Sequence, residues 1–260
     1  MNDILINIAI SGFFLSIVFG ILSVFVILRK LSFLGVGISH AAFAGIALAL
    51  LLNFSPFITT LSFCLVVAFF IGKTTKMGKL DYDNSIGLFF SFTMALGAIF
   101  LYLNKNYNFD VMGYLFGSIL GISNSDIILI ILVSFVSTTF LFIFLKEFVF
   151  IAFDEDVAKV SGINVEFFDN LLLIILSSVI VISLKLIGII LVSALLILPG
   201  TFSFLICKNY KKAFLVSILF NIVIFFAGVG ISWEFDLPVG ATIVTAGTII
   251  YFISLLIFKK

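Results

Sequence analysis

The stretch "LSFLGVGISHAAFAGIALALLL", residues 31–52, carries the only histidine in this chain of 260 residues, His40. It belongs to a run without a charged residue that extends from Leu31 to Gly72. An α-helix needs about 20 consecutive, mostly apolar residues to cross the hydrocarbon core of a bilayer. The stretch therefore predicts a transmembrane helix that holds an ionisable side chain at membrane depth.

The composition of the whole chain points the same way. Hydrophobic residues make up 63% of it and charged residues 10%, whereas soluble globular domains use about 45–50% apolar residues. The apolar stretches are long and do not alternate, which excludes the short alternating segments of a transmembrane β-barrel. We predict an all-α, polytopic transmembrane helical bundle that forms a single domain over residues 1–260.

Charged and turn-rich breaks divide the chain into about eight or nine crossings. We place these crossings at residues 4–28, 32–53, 56–72, 85–103, 126–145, 169–184, 187–206, 213–231 and 239–258. A further apolar piece at 111–122 is too short to cross, and three glycines spaced four residues apart lie along one face of it. We interpret this piece as a partial helix on the outer side, and an additional tilted span is the alternative.

The basic residues predict the orientation of the bundle. With the N-terminus outside and the C-terminus cytoplasmic, all 14 lysine and arginine residues except Lys105 and Lys185 fall on the cytoplasmic side. Cytoplasmic loops carry such an excess of basic residues. The outer face then carries acidic residues, which favour cation entry or the docking of a basic receptor surface. These outer acids are Asp3, Asp110, Asp126, Glu234 and Asp236.

His40 admits two interpretations from the sequence. An ionisable residue inside a membrane is costly and marks a candidate site, whereas the alternative is a packed histidine bonded to a backbone carbonyl. A helix that begins near Ser32 puts His40 about 12 Å into a core of about 30 Å, close to the midplane. Gly35 and Gly37 just before it allow the helix to break or to approach another helix.

Nothing in the chain predicts nucleotide binding or a metal cluster of its own. The segment "IGKTT" at residues 71–75 resembles the end of a phosphate loop, but Val67 stands where that motif requires a glycine. Cys64 and Cys207 lie far apart in the sequence and do not form a C-x-x-C motif. If ATP drives this protein, a partner chain must hydrolyse it.

Six stretches together resemble the permease subunit of the metal-ion family of ATP-binding-cassette importers, which carries zinc, manganese or iron. They read "RKLSFLGVGISHAAFAGIALALLL", "NSIGLFFSFTMALG", "GYLFGSILGISNSDI", "FDEDVAKVSGINVEFFDNLLL", "LIGIILVSALLILPGTFSFLI" and "SWEFDLPVGATIV". They follow the family's order over most of the chain. The resemblance implies the broad fold of the vitamin B12 importer, a type II importer permease, in the plasma membrane.

The resemblance also implies partners and a division of labour. It implies a homodimer of this chain with two cytoplasmic ATP-binding subunits and an extracellular metal-binding lipoprotein receptor. The chain itself is then a transport subunit rather than an enzyme. It holds no permanent cofactor, and the divalent metal ion is its cargo.

The family's second helix often reads G-D-x-x-S-H, in which an aspartate and a histidine one turn apart are ion ligands. Here the stretch reads "GVGISH", so that His40 is present and Val36 stands in the aspartate position. The resemblance makes His40 a metal ligand, with Ser39, Gly35 and Gly37 lining the pathway. An imidazole without the carboxylate favours zinc, with manganese and iron as the alternatives.

The resemblance further implies a cytoplasmic element on which the ATPase acts. Our candidate is "PGTFSFLICKNYKKA", residues 199–213, where Pro199 and Gly200 can end or kink a helix before a short amphipathic segment. The residues assigned to it are Pro199, Gly200, Thr201, Phe204, Lys208, Lys211 and Lys212. The turn "FDEDVAKVSGI", with a helix capped by Asp154 and ended by Gly162, is expected to brace the same contact. Ordinary solvated loops are the alternative for both.

Three other classes of protein are considered. A proton-coupled secondary transporter needs carboxylates within its spans, yet all 13 acids fall at loops or helix ends. A channel needs no ATPase, so neighbouring genes for an ATP-binding subunit and a receptor would discriminate against it. An intramembrane enzyme is disfavoured because the one histidine has no catalytic partner near it in the sequence.

Overall fold

The computed structural model describes residues 2–78, 80–104 and 123–258, and within these ranges it contains ten helices and no strand. The helices are α1 Asn2–Leu28, α2 Leu34–Leu52, α3 Pro56–Gly78, α4 Tyr82–Leu103, α5 Asn124–Ile143, α6 Leu145–Phe153, α7 Glu155–Val160, α8 Val165–Ile206, α9 Tyr210–Phe235 and α10 Val239–Ile257. The predicted piece at 111–122 lies outside the described residues.

All of these helices except α6 and α7 are long and apolar enough to cross a membrane, which makes 8 candidate spans in the described ranges. The predicted all-α, polytopic fold is confirmed. The short helices α6 and α7 occupy the segment between the predicted crossings 126–145 and 169–184, where charged residues are more frequent.

Helix α8 contains two of the predicted crossings, 169–184 and 187–206. It has 42 residues, and its only non-helical backbone is at Gly188, with φ 73 and ψ 170. A residue other than glycine would be strained in that conformation. At a rise of about 1.5 Å per residue, a straight helix of this length would extend about 63 Å, roughly twice the hydrocarbon core. The boundary predicted between 184 and 187 therefore lies at Gly188.

The chain forms two compact units. The first unit contains α1, α5, the part of α8 from Leu186 onward, α9 and α10, and the second contains α2, α3, α4, α6, α7 and α8 up to Lys185. Each unit is assembled from segments that are distant in the sequence, so that the chain passes between the units several times.

In the first unit, polar side chains join the buried helix α1 to α9. Ser217 donates a hydrogen bond of 2.7 Å to the carbonyl of Gly20, and Asn221 donates one of 3.0 Å to the carbonyl of Ser16. A side chain on Gly20 would collide with the backbone of Ile218, 2.7 Å away. Small residues and interhelical hydrogen bonds of this kind are how helices associate where lipid offers no hydrophobic driving force.

In the second unit, α2 is the central helix. Its spanning window is 67% buried, against 33% for α3 and 17% for α4. Two glycines allow this packing: a side chain on Gly45 would lie 2.8 Å from Cα of Thr60 in α3, and one on Gly37 would lie 2.6 Å from Ile86 in α4. The helix that carries His40 is therefore held tightly between two neighbours.

Candidate metal site and coupling region

His40 lies on α2 and is half-buried within the second unit. Its ring meets the ring of Phe90 in α4 edge to face, with centroids 4.9 Å apart and planes at 85°. No residue in the described ranges forms a hydrogen bond with the imidazole, so the carbonyl partner expected of a packed histidine does not occur there. The contact with Phe90 places the His40 ring against α4.

A cavity of about 400 Å³ lies between α2 and α4, and His40 is not one of its lining residues. Val36, which stands in the family's aspartate position, lines this cavity and lies one helical turn before His40. Phe90 also lines the cavity, and its ring contacts the His40 ring. The cavity is lined by Phe33, Val36, Gly37, Asp83, Asn84, Ile86, Gly87 and Phe90.

The cavity contains two polar residues that the sequence did not indicate, Asp83 and Asn84. Both are exposed and lie in the first turn of α4. A sequence signal for them exists, because Asp83, Ile86 and Phe90 recur at the spacing of one helical face. That spacing could not show which helix this face meets, and the structure shows that it meets α2.

The predicted pathway residues next to His40 are all buried. Ser39 has no hydrogen-bond partner for its hydroxyl among the described residues, and Gly35 is buried in the first turn of α2. Helix α2 is continuous, so the glycines do not break it. Of the two roles expected for Gly37, close approach to another helix is the one observed.

The described residues hold no group of three or more His, Cys, Asp and Glu side chains that could bind a metal ion. Within these ranges His40 is therefore not part of a preassembled metal centre of the structural kind, which encloses its ion with about four protein ligands. A transport site has a different requirement, since it must release the ion as well as bind it.

The acidic residues predicted for the outer face differ in their surroundings. Asp126 and Ser123 form a reciprocal cap at the start of α5. The Ser123 hydroxyl donates a hydrogen bond of 2.7 Å to the Asp126 carboxylate, and the N–H of Asp126 donates one of 3.3 Å to the Ser123 hydroxyl. Glu234 and Asp236 are exposed at the end of α9, where Asp236 has a left-handed backbone with φ 53. Asp110 lies outside the described residues. Glu234 and Asp236 thus form an accessible negative pair, whereas Asp126 has a structural role.

Of the two effects predicted for Pro199 and Gly200, an end or a kink of the helix, an end does not occur at these residues. Helix α8 continues through both residues to Ile206, so Thr201 and Phe204 are also helical. Proline interrupts a helix because it removes a backbone donor and crowds the preceding turn, but here Gly200 donates its N–H to the hydroxyl of Ser23 in α1 at 2.7 Å. That bond satisfies the backbone next to the proline and fixes this part of α8 inside the first unit.

The three lysines of the candidate coupling segment remain at a turn. Lys208, Lys211 and Lys212 are exposed, and Asn209 begins α9 by accepting a hydrogen bond from the N–H of Lys211 at 2.9 Å. The accessible part of the predicted segment is thus a short basic turn, and its apolar part belongs to the body of α8.

Helix α7 has the opposite character, because it exposes apolar side chains. Val160 is 90% exposed and Val157 48%, although α7 is not a candidate span. The predicted cap is confirmed: the Asp154 carboxylate accepts hydrogen bonds from the N–H groups of Asp156 and Val157, and Gly162 follows with φ 85. A hydrogen bond from Lys159 to Glu155, supported by the attraction of their charges, raises the pKa of Lys159.

Comparison with known proteins places the chain. The ABC 3 transport family matches residues 1–258. The manganese transport system membrane protein MntC of Listeria monocytogenes is 33% identical, with 96% of this chain and 89% of that protein covered. The high-affinity zinc uptake system membrane protein ZnuB of Haemophilus influenzae is 26% identical, with 100% and 99% covered.

A solved structure agrees with these relatives. PsaBC from Streptococcus pneumoniae, in complex with a Fab, superposes with a TM-score of 0.82 at 31% identity and covers 97% of this chain and 91% of that chain. The resemblance to permease subunits of metal-ion importers is thereby confirmed. The chain is a multi-pass membrane protein that belongs to the ABC 3 transport family.

Proposed function

We propose that this chain is the permease subunit of an ATP-binding-cassette importer for a divalent metal ion. The observation that carries the proposal is His40, a half-buried imidazole on the most buried of the spans α2, α3 and α4, whose ring contacts Phe90 of the cavity between α2 and α4. Neutral imidazole is a ligand for first-row transition metals. Relatives named for manganese and zinc transport support the same class of cargo.

Zinc and manganese are the two metals that the observations favour. A single imidazole with Val36 in place of a carboxylate supports zinc, because manganese prefers a larger share of oxygen ligands. The name of the relative MntC supports manganese, and the exposed carboxylate of Asp83 in the same cavity is an oxygen ligand of the kind that manganese prefers. Iron is the third metal to be tested.

The proposed working unit contains two copies of this chain, two ATP-binding subunits and an extracellular metal-binding receptor. The absence of a phosphate loop in the sequence supports a separate ATPase. The exposed Val157 and Val160 of α7 support this helix as its docking element, since they lie one turn apart on one face of a helix outside the candidate spans, where a partner can cover them. The basic turn at residues 207–212 is then a secondary contact.

We propose that the N-terminus is outside and the C-terminus cytoplasmic, with nine crossings in the plasma membrane. The distribution of basic residues supports this orientation. The break at Gly188 supports a second crossing within α8, since the conformation of this residue separates two helical segments that are each long enough to be a span.

The test is metal uptake by sealed vesicles that contain the permease, its ATP-binding subunits and the loaded receptor. We expect uptake only with ATP, and for zinc or manganese rather than for magnesium or calcium. Offering zinc, manganese and iron in turn, alone and in competition, identifies the cargo. ATP-independent uptake by the permease alone would instead favour a channel or a secondary transporter.

A further inference from the structure

Lys76 and Asp169 form an ion pair that joins α3 to α8 within the second unit. The ammonium nitrogen of Lys76 lies 3.1 Å from Oδ2 of Asp169, and the two side chains are 25% and 4% exposed. Burying an ion pair is no more stabilising than packing apolar residues of similar size. Stability alone therefore does not explain why a chain with so few charges buries two of them here.

We propose that the Lys76–Asp169 ion pair is the joint through which a movement of α7, driven by the ATPase, reaches the helix that carries His40. This inference rests on the proposed function. It assigns to Lys76 and Asp169 a positioning role, since both act through α3 and α8 and neither lines the cavity between α2 and α4.

The first link connects α7 to the start of α8. Ala158 of α7 is fully buried against Ile151 of α6 and Val165 of α8. Phe168 packs against this cluster and meets the ring of Phe148 in α6 with centroids 5.5 Å apart. Close-packed cores transmit displacement rather than absorb it, so α7 and the first turns of α8 move as one body.

The second link connects α8 to α3 at the ion pair. One turn before Lys76, a side chain on Gly72 would lie 2.6 Å from the amide oxygen of Asn170 and 2.9 Å from Leu173. The two helices therefore touch along more than one turn. Sliding one helix past the other would separate the charge of Lys76 from that of Asp169, whose side chain is only 4% exposed to solvent, so the pair sets their register.

The third link connects α3 to α2. The thiol of Cys64 donates to the carbonyl of Ile38 at 3.7 Å, two residues before His40. Thr60 lies against Gly45, where an added side chain would approach Cα of Thr60 to 2.8 Å. A displacement of α3 is thus delivered to both sides of His40 on α2.

A cavity lies beside the ion pair. Lys76 of α3 and Glu155 and Lys159 of α7 line the same polar space of about 450 Å³. The ion pair of Lys76 with Asp169 therefore lies beside α7, at the edge of this space.

The experiment compares ATP hydrolysis with metal uptake in vesicles that contain the whole complex. We make Lys76→Met, Asp169→Asn and the charge-reversed double variant Lys76→Asp/Asp169→Lys. Lys73→Met, which removes an exposed lysine one turn earlier in α3, is the matched control. Metal taken up per ATP hydrolysed should fall about tenfold in each single variant, within the range of typical coupling effects. It should return to within about threefold of wild type in the double variant.

The outcomes separate this inference from the proposed function. A wild-type complex without ATP-driven uptake would overturn the proposed function itself. Single variants with the wild-type ratio of uptake to hydrolysis would overturn only the joint. The joint would also be overturned if the single variants lose ATP hydrolysis and metal uptake in proportion and the double variant recovers neither. If the single variants fail to assemble, the double variant decides: a wild-type ratio supports the joint, and a low ratio or failed assembly contradicts it.

Discussion

Gly200 and Ser23 bring α8 and α1 into direct backbone contact. The N–H of Gly200 donates to the Ser23 hydroxyl at 2.7 Å, and a side chain on Gly200 would lie 2.5 Å from the Ser23 carbonyl oxygen. This contact leaves no space for a larger residue. Gly200 is therefore a packing residue of the first unit.

Gly200→Leu should destabilise the purified permease. The new side chain would force the Ser23 backbone away, and overpacking of this kind costs about 1–3 kcal/mol or more. Thermal unfolding in detergent measures the effect. Gly230→Ala in α9, where no atom lies within 4 Å of an added side chain, is the control and should leave the unfolding temperature unchanged or slightly higher. Equal unfolding temperatures for Gly200→Leu and wild type would contradict the contact.

His40→Ala should abolish metal uptake or reduce it sharply while the complex still assembles. The substitution removes the proposed ligand. It also removes the edge-to-face contact between His40 and Phe90. Uptake by vesicles with ATPase and receptor present is the measurement, and size-exclusion chromatography checks assembly. Uptake at the wild-type rate would make His40 a packed histidine beside the pathway.

Val36→Asp should place a carboxylate one helical turn from His40, at the cavity between α2 and α4. The second ligand should tighten metal binding and slow release, because a transport site must also let the ion leave. The added oxygen should also shift the preference toward manganese. Competition between zinc and manganese during uptake measures this shift, with Val36→Asn as the uncharged control. An unchanged preference and rate would mean that the ion does not pass Val36.

Val160→Glu in α7 should weaken the contact with the ATP-binding subunit. Val160 is 90% exposed in the isolated chain, so that the substitution does not disturb folding, whereas a charge buried at an interface without a partner is costly. Co-purification of the ATPase and receptor-stimulated hydrolysis should both fall. The triple variant Lys208→Met/Lys211→Met/Lys212→Met tests the basic turn, and a larger loss there would reverse the order of the two candidates.

Glu234→Gln together with Asp236→Asn should weaken receptor docking or slow cation entry at low salt. Asparagine tolerates the left-handed conformation of Asp236, so the backbone of the turn is retained. Exposed charges are screened over about 10 Å at 0.1 M salt, and the difference from wild type should shrink as salt rises. Receptor affinity and initial uptake rate at two salt concentrations give the comparison. No difference at low salt would remove both roles.

The short helix α7 shows how far local sequence reasoning reaches. Asp154 and Gly162 were predicted as its cap and its end, and both are confirmed, because caps depend on residues within a few positions of each other. The exposure of Val160 was not predicted. It depends on Ala158, rather than Val160, facing Ile151 and Val165.

By itself, the sequence determined that this is a polytopic helical membrane protein of an importer family. Long apolar runs, basic turns and the six family-like stretches can each be recognised from residues close together in the sequence, and lipid permits few structures other than helices. Only the tertiary structure decided that Phe90 lies against His40, that Gly200 meets Ser23, and that Lys76 pairs with Asp169. A helix that is apolar all round carries no periodic signal for the face it buries, so these contacts depend on how the helices rotate and pack.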